Sequence, residues 1–269
     1  MRVVAIICAR NEEIYIRSTL TDLINEGLDV VLIDHDSMDR TVAIAREFIG
    51  RGLLGIERLQ WTGRFSLVEQ LEAKRRLADA LDHDWVVHVD ADEWLSAPDS
   101  GQTLRDGLTA AHAGGYNCVN FNEFVFLPRP GEDLSRDDYR TRLTRYYFFQ
   151  PSHPRLMRAW KTRAGLENGM HAGHLLSGPV RLFPRDFPLR HYISLGEPHA
   201  ERKYLNRRFD DAELARGWHR NRVTVTKETL RFPDDERMRI LSHWSSKQYD
   251  LSEPQSEHYW DWTPTNRPR

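Results

Sequence analysis

Three short acidic clusters carry most of the chemistry this chain could do. They are Arg10-Asn11-Glu12, Asp34-His35-Asp36-Ser37-Met38-Asp39, and Asp90-Ala91-Asp92-Glu93, each directly after an apolar run. Carboxylates that converge on one edge repel one another unless a cation or hydrogen-bond donors come between them. A hard divalent cation with oxygen ligands resolves the repulsion, and Mg²⁺ takes only one or two carboxylates and fills its shell with substrate phosphates. The expectation is a metal that bridges protein and diphosphate at the Asp90/Asp92 pair. Taken singly, each acid serves equally well as a helix N-cap or a solvated loop charge.

The elements that must position these clusters alternate in type. Residues 3–9 form a short apolar run, read as a buried first strand. Residues 14–26 have helical spacing, closed by Gly27 at the position favoured for a helix C-terminal glycine. Strand 30–33, helix 41–50, a short strand 56–59, helix 67–81 and strand 85–89 follow. Strands separated by helices of this length imply βαβ units and a largely parallel sheet, with ligands at the carboxyl ends of its strands. After residue 118 the pattern loosens. A strand is expected over 118–126, a charged loop or lid over 128–145, a basic helical stretch over 200–220, and an irregular tail over 253–269 with Pro254, Pro264 and Pro268. The chain reads as one α/β domain, with residues 1–125 as the nucleotide-binding part and 126–269 as the acceptor side and tail.

Composition narrows the function classes. A net charge of −2 argues against binding nucleic acid by general electrostatics. Mean hydropathy is −0.63, and no apolar stretch approaches the roughly 20 residues of a membrane span. Cys8 and Cys118 sit in apolar runs as small hydrophobes, so no disulfide framework is expected. The N-terminus, Met1-Arg2 and then a strand, lacks the layout of a signal peptide. A cytoplasmic protein is expected, and a peripheral contact with a membrane-borne acceptor is compatible with that. The first turn has no glycine, so neither a dinucleotide fingerprint nor a Walker loop is present.

These motifs, in this order, resemble the family 2 glycosyltransferases of GT-A fold. Ala9-Arg10-Asn11-Glu12 resembles the family's first-strand signature. Residues 31–41, with Asp34, Asp36, Ser37, Asp39 and Thr41, resemble its second-strand motif. Val87 to Glu93 resembles the DxD motif, and Ala73-Lys74-Arg75 stands sixteen residues before Asp90, where many members have Ala-Arg-Asn. The resemblance implies a Rossmann-like, mostly parallel sheet flanked by helices and a nucleotide-sugar donor, UDP by default. It places Ala9, Arg10, Asn11, Glu12, Asp34, Asp36, Ser37, Lys74, Asp90 and Ala91 around the nucleotide. Asp92 would ligate Mn²⁺ or Mg²⁺.

More loosely, Met170-His171-Ala172-Gly173-His174 resembles a Gly-His element that follows the acceptor loop. Arg190-His191-Tyr192-Ile193-Ser194 with Lys203 resembles a later stretch, which Gly217-Trp218-His219 extends. His174, and after it His191, are the candidates for a further metal ligand. Arg190 and Lys203 are candidates to neutralise the departing diphosphate. With 12 histidines in the chain, an ordinary core or surface role is equally open to either histidine.

The resemblance implies inversion at the anomeric carbon, with a carboxylate taking the proton of an acceptor hydroxyl. Glu123 and Glu167 are the candidates for that base, and both could equally be surface acids. The acceptor, whether glycan, lipid-linked or small molecule, is not legible. The basic and aromatic residues between Arg202 and Arg222, and the later Trp244, Tyr259, Trp260 and Trp262, could serve it or simply build core. The competing readings are a metal-dependent nucleotidyltransferase or phosphohydrolase, which also use paired aspartates, and a silent nucleotide-sugar-binding scaffold.

Overall fold

The computed structural model describes residues 1–135, 138–168, 174–205 and 207–262. In chain order the elements are β1 (Val3–Ala9), α1 (Ile16–Asn25), β2 (Asp29–Asp34), α2 (Thr41–Arg46), β3 (Leu53–Arg58), α3 (Leu67–Ala80), β4 (Trp85–Val89), β5 (Glu93–Leu95), α4 (Leu104–Ala113), β6 (Cys118–Val119) and β7 (Phe121–Phe126). They continue with α5 (Tyr139–Arg142), β8 (Arg145–Phe149), β9 (Ala159–Lys161), β10 (Glu167–Asn168), β11 (Leu176–Ser177), β12 (Phe187–His191), α6 (Glu197–Tyr204), α7 (Asp211–Ala215), α8 (Arg220–Val223) and β13 (Arg239–Ile240).

The chain divides into two compact units. The first comprises residues 1–62, 67–122 and 154–190, and the second comprises 63–66, 123–153 and 191–269. In the first, a six-stranded sheet runs in the order β3-β2-β1-β4-β9-β6. Strands β1, β2, β3 and β4 are mutually parallel where they pair, and β9 lies antiparallel to both β4 and β6. All seven residues of β1 and all five of β4 are buried. That is the pattern of a strand covered on both faces, and it explains why these segments read as unbroken apolar runs rather than alternating ones. Val4, Ile6 and Cys8 of β1 pack with Val31, Ile33, Val86 and the inner face of α3. Gly27 adopts φ +84 after α1, where its amide and that of Leu28 close the last helical turn on the carbonyls of Ile24 and Leu23.

The second unit contains the antiparallel ladder β13-β8-β7. Its core joins Val125, Tyr147, Phe149, Ile193, Tyr204, Phe232, Tyr259 and Trp260. Tyr259 and Trp260, two of the tail aromatics, are therefore core residues. No described helix is long and apolar enough to cross a membrane.

The irregular half departs from expectation in three places. The run 118–126 is two strands, because the Asn120 side chain breaks the ladder: its Oδ1 accepts the amides of Arg155 and Leu156, and its Nδ2 donates to Asp186. The stretch 200–220 is not one helix. Asp210 caps a new helix by accepting the Ala212 and Glu213 amides. The segment 128–145, read as a loop or lid, buries Leu134, Tyr139 and Leu143 in its described part and contains α5.

Candidate functional site

Parallel pairing aligns the ends of the strands. Ala9 lies opposite Asp34, and Ile7 lies opposite Val89, so the residues after β1, β2 and β4 emerge at one edge of the sheet. The acidic clusters meet there because the strands that precede them share direction and register.

The first two clusters lock to each other. Asn11, in the left-handed region at φ 56, donates its amide to Ser37 Oγ (3.0 Å) and accepts the Met38 amide on Oδ1 (2.7 Å). The Glu12 amide donates to Thr41 Oγ1 (2.8 Å), and the Glu13 amide donates to Asp39 Oδ2 (3.0 Å). Asp34 is buried and accepts the Ser37 amide. The Asp36 carboxylate receives Arg58 Nε (2.5 Å) and the Trp61 amide (2.8 Å), and these two bonds, Arg58 first, hold it below the usual carboxylate range. Arg10 donates to the carbonyls of His35 and Asp36 and lies over the Trp61 ring. His35 meets the edge of the same ring, at 4.9 Å between centroids. In the structure, then, Asn11, Ser37, Asp36 and the Glu12 amide hold this pair of loops together.

The third cluster is charged but largely compensated. Asp90 receives Lys74 Nζ on Oδ1 (3.4 Å) and Arg158 Nη2 on Oδ2 (3.0 Å). Burial pushes the Asp90 carboxyl upward, yet Arg158 and Lys74 outweigh it and hold the group well below the usual carboxylate range. The side chain still keeps 38% of its surface accessible. Lys74 is itself only 2% exposed and also donates to the Val89 carbonyl. The carbonyl of Ala91 accepts Thr19 Oγ1 at 2.5 Å. His174 lies within electrostatic reach of Asp90. Burial first, and then the Arg158 cation, push its imidazole well below its ordinary value, so it is neutral near pH 7. The rest of the Gly-His element, residues 170–173, lies outside the described residues.

Arg190 is buried in the first unit, with its guanidinium 4.5 Å from the Trp94 ring centroid. Glu167 is exposed on the β10–β11 hairpin. Glu123 and His191 belong to the second unit, where Glu123 Oε1 and His191 Nδ1 are 2.5 Å apart. Lys203 is also in that unit and donates to the Ile193 carbonyl (3.4 Å). Sequence reading missed Trp61 and Arg158. A lone aromatic after β3 hinted at the first. No sequence signal marks Arg158, which reaches Asp90 from the residue just before β9, 68 residues further on.

Among the described residues, no three His, Cys, Asp or Glu side chains are grouped to hold a metal. Asp90 is already neutralised by two cations. Of the candidate metal ligands, Asp92 is buried and the imidazole of His174 is held low by burial; a carboxylate and an uncharged imidazole are ligand types that suit a divalent ion whose shell substrate phosphates complete.

Residues 4–121 match the family model for glycosyl transferase family 2. No curated protein matches the chain. Among solved structures, TarS residues 1–349 of S. aureus in complex with UDP-GlcNAc is similar, with 14% identity over 71% of this chain and 58% of that one, at a TM-score of 0.45. S. aureus TarS is similar at 14% identity over 86% of this chain and 42% of that one, with a TM-score of 0.43. The chain thus spans less than two thirds of the length of either. The segment that matches glycosyl transferase family 2, residues 4–121, is the one that carries all three acidic clusters.

Proposed function

We propose that the chain transfers a sugar from a nucleoside-diphosphate donor, UDP-linked by default, to an acceptor hydroxyl with inversion at the anomeric carbon. One observation carries the reading: an Asp90–Glu93 turn whose first carboxylate is neutralised by Lys74 and Arg158, at the sheet edge where the Arg10 and Asp34 loops also end. A neutralised Asp90 is suited to accept hydrogen bonds from ribose hydroxyls, and Asp34 and Arg10 would face the base. Asp92 and His174 would hold Mn²⁺ or Mg²⁺, and the cation would supply charge neutralisation at the diphosphate. Arg190 and Lys203 are the proposed further cations for the leaving group.

Glu123 would take the acceptor proton. Its partner His191, 2.5 Å away, orients the carboxylate and leaves it an acceptor. Glu167 lies exposed on its hairpin and is the weaker candidate. Residues 126–269 would form the acceptor side of a protein that works outside a membrane or at its surface.

The deciding experiment is calorimetric titration of UDP, GDP and dTDP, with and without Mn²⁺, on the wild type and on Asp92→Ala. Metal-dependent binding of one nucleotide, lost in the variant, is the expected outcome. Binding by none of the three, or binding indifferent to both metal and Asp92, would sink the proposal.

A further inference from the structure

Arg158 precedes β9 and is only 3% exposed. Its position follows from strand pairing: Val87 lies opposite Ala159, and the His88 amide donates to the Arg158 carbonyl (2.8 Å), which sets the guanidinium beside Asp90. Nη2 donates to Glu93 Oε1 (2.5 Å) and to Asp90 Oδ2 (3.0 Å). Glu93 Oε2 accepts the Asp90 amide (2.9 Å), and the Glu93 amide donates back to the Asp90 carbonyl (3.1 Å). These bonds close a ring around the turn, and Thr19 pins the Ala91 carbonyl from the α1 side. The backbone on both sides of Asp92 is thus fixed by bonds that do not use its carboxylate.

The same guanidinium keeps Nε and Nη1 buried with no hydrogen-bond partner among the described residues. Buried donors left unmet cost stability, and a buried ion pair often contributes less than well-packed apolar side chains of the same volume. Stability alone therefore does not account for an arginine here.

We infer that Arg158 is a positioning residue: by clamping Asp90 and Glu93 it sets the shape of their turn, and so the direction in which Asp92 meets the donor diphosphate and its cation. This rests on the donor-site reading proposed above. Groups that hold a metal-ligating side chain in place typically account for about 10–100-fold in metal affinity or activity.

The test is calorimetry of UDP with Mn²⁺, alongside thermal melting, on Arg158→Met/Glu93→Gln and on Arg158→Lys. The double variant removes one positive and one negative charge, so the cluster's net charge is unchanged. It is expected to melt near the wild type and to bind UDP with Mn²⁺ about 10–100-fold more weakly. Lysine at 158, a single point charge, is expected to recover part of that loss. A folded double variant with wild-type affinity would overturn the inference. If the double variant does not fold, Arg158→Lys decides: intermediate affinity at an unchanged melting point supports positioning, and full affinity overturns it. Wild-type protein that binds no nucleotide would remove the donor-site reading itself. Asp92-dependent binding in the wild type, with the Arg158 variants unaffected, would remove this inference alone.

Discussion

The guanidinium of Arg10 lies 4.3 Å from the centroid of the Trp61 ring while donating to the backbone carbonyls of His35 and Asp36. The Trp61 amide is held in turn by Asp36. A cation over an indole face contributes about 0.5–2 kcal/mol. Trp61→Leu is expected to release Arg10 and to weaken nucleotide binding about tenfold, which calorimetry would measure. In the wild type, nucleotide should alter Trp61 fluorescence. Unchanged affinity in the variant would place the Arg10–Trp61 pair outside the donor site.

Lys74→Met deletes a buried ammonium that serves Asp90 Oδ1 and the Val89 carbonyl. Leaving those acceptors without their donor costs about 1–3 kcal/mol. At about 2–4 °C per kcal/mol for a chain of this size, the melting point should fall by roughly 2–12 °C. Nucleotide affinity should fall with it. A variant that melts and binds like the wild type would show that Arg158 alone suffices for Asp90.

Glu123→Gln separates the proposed base from the donor site. Turnover should drop by about 10²–10⁴-fold, the usual contribution of general-base catalysis. Affinity for UDP with Mn²⁺ should stay at the wild-type value, because Glu123 is not among the residues proposed to hold the nucleotide. A parallel loss of affinity, or full turnover, would count against Glu123 as base and return Glu167 to consideration.

Burial pushes the imidazole of His219 below its ordinary value of 6.5, despite its 2.8 Å contact with Glu213. The unfolded chain takes up this proton near pH 6.5, whereas the folded chain resists it. The contribution to stability is thus complete above about pH 6.5 and is lost as pH falls toward the folded value. His219 also has φ 58, a conformation that asparagine tolerates. In His219→Asn, melting points measured from pH 7.5 down to 5.5 should decline less steeply than in the wild type. Equal slopes would assign the acid sensitivity to other groups.

The nucleotide half was legible because its signals are local. Buried parallel strands announce themselves as unbroken apolar runs such as 3–9 and 85–89, and helix 67–80 was foreseen to within a residue of its end. The irregular half was harder, since Asn120 ends a strand through partners 35 and 66 residues away, which no window of sequence reveals.

By itself, the sequence determined the alternation of strands and helices, the order of the acidic clusters and the family model that residues 4–121 match. Each depends on residue type and near spacing. Only the tertiary structure decided which acids are spent and on what. Asp36 is taken by Arg58 and the Trp61 amide, Asp39 by the Glu13 amide and Thr41, and Asp90 by Lys74 and Arg158. The physical reason is reach: a carboxylate's charge state and free valence depend on which cations and donors lie within a few ångströms. Here those neighbours come from strands and loops far apart in the chain.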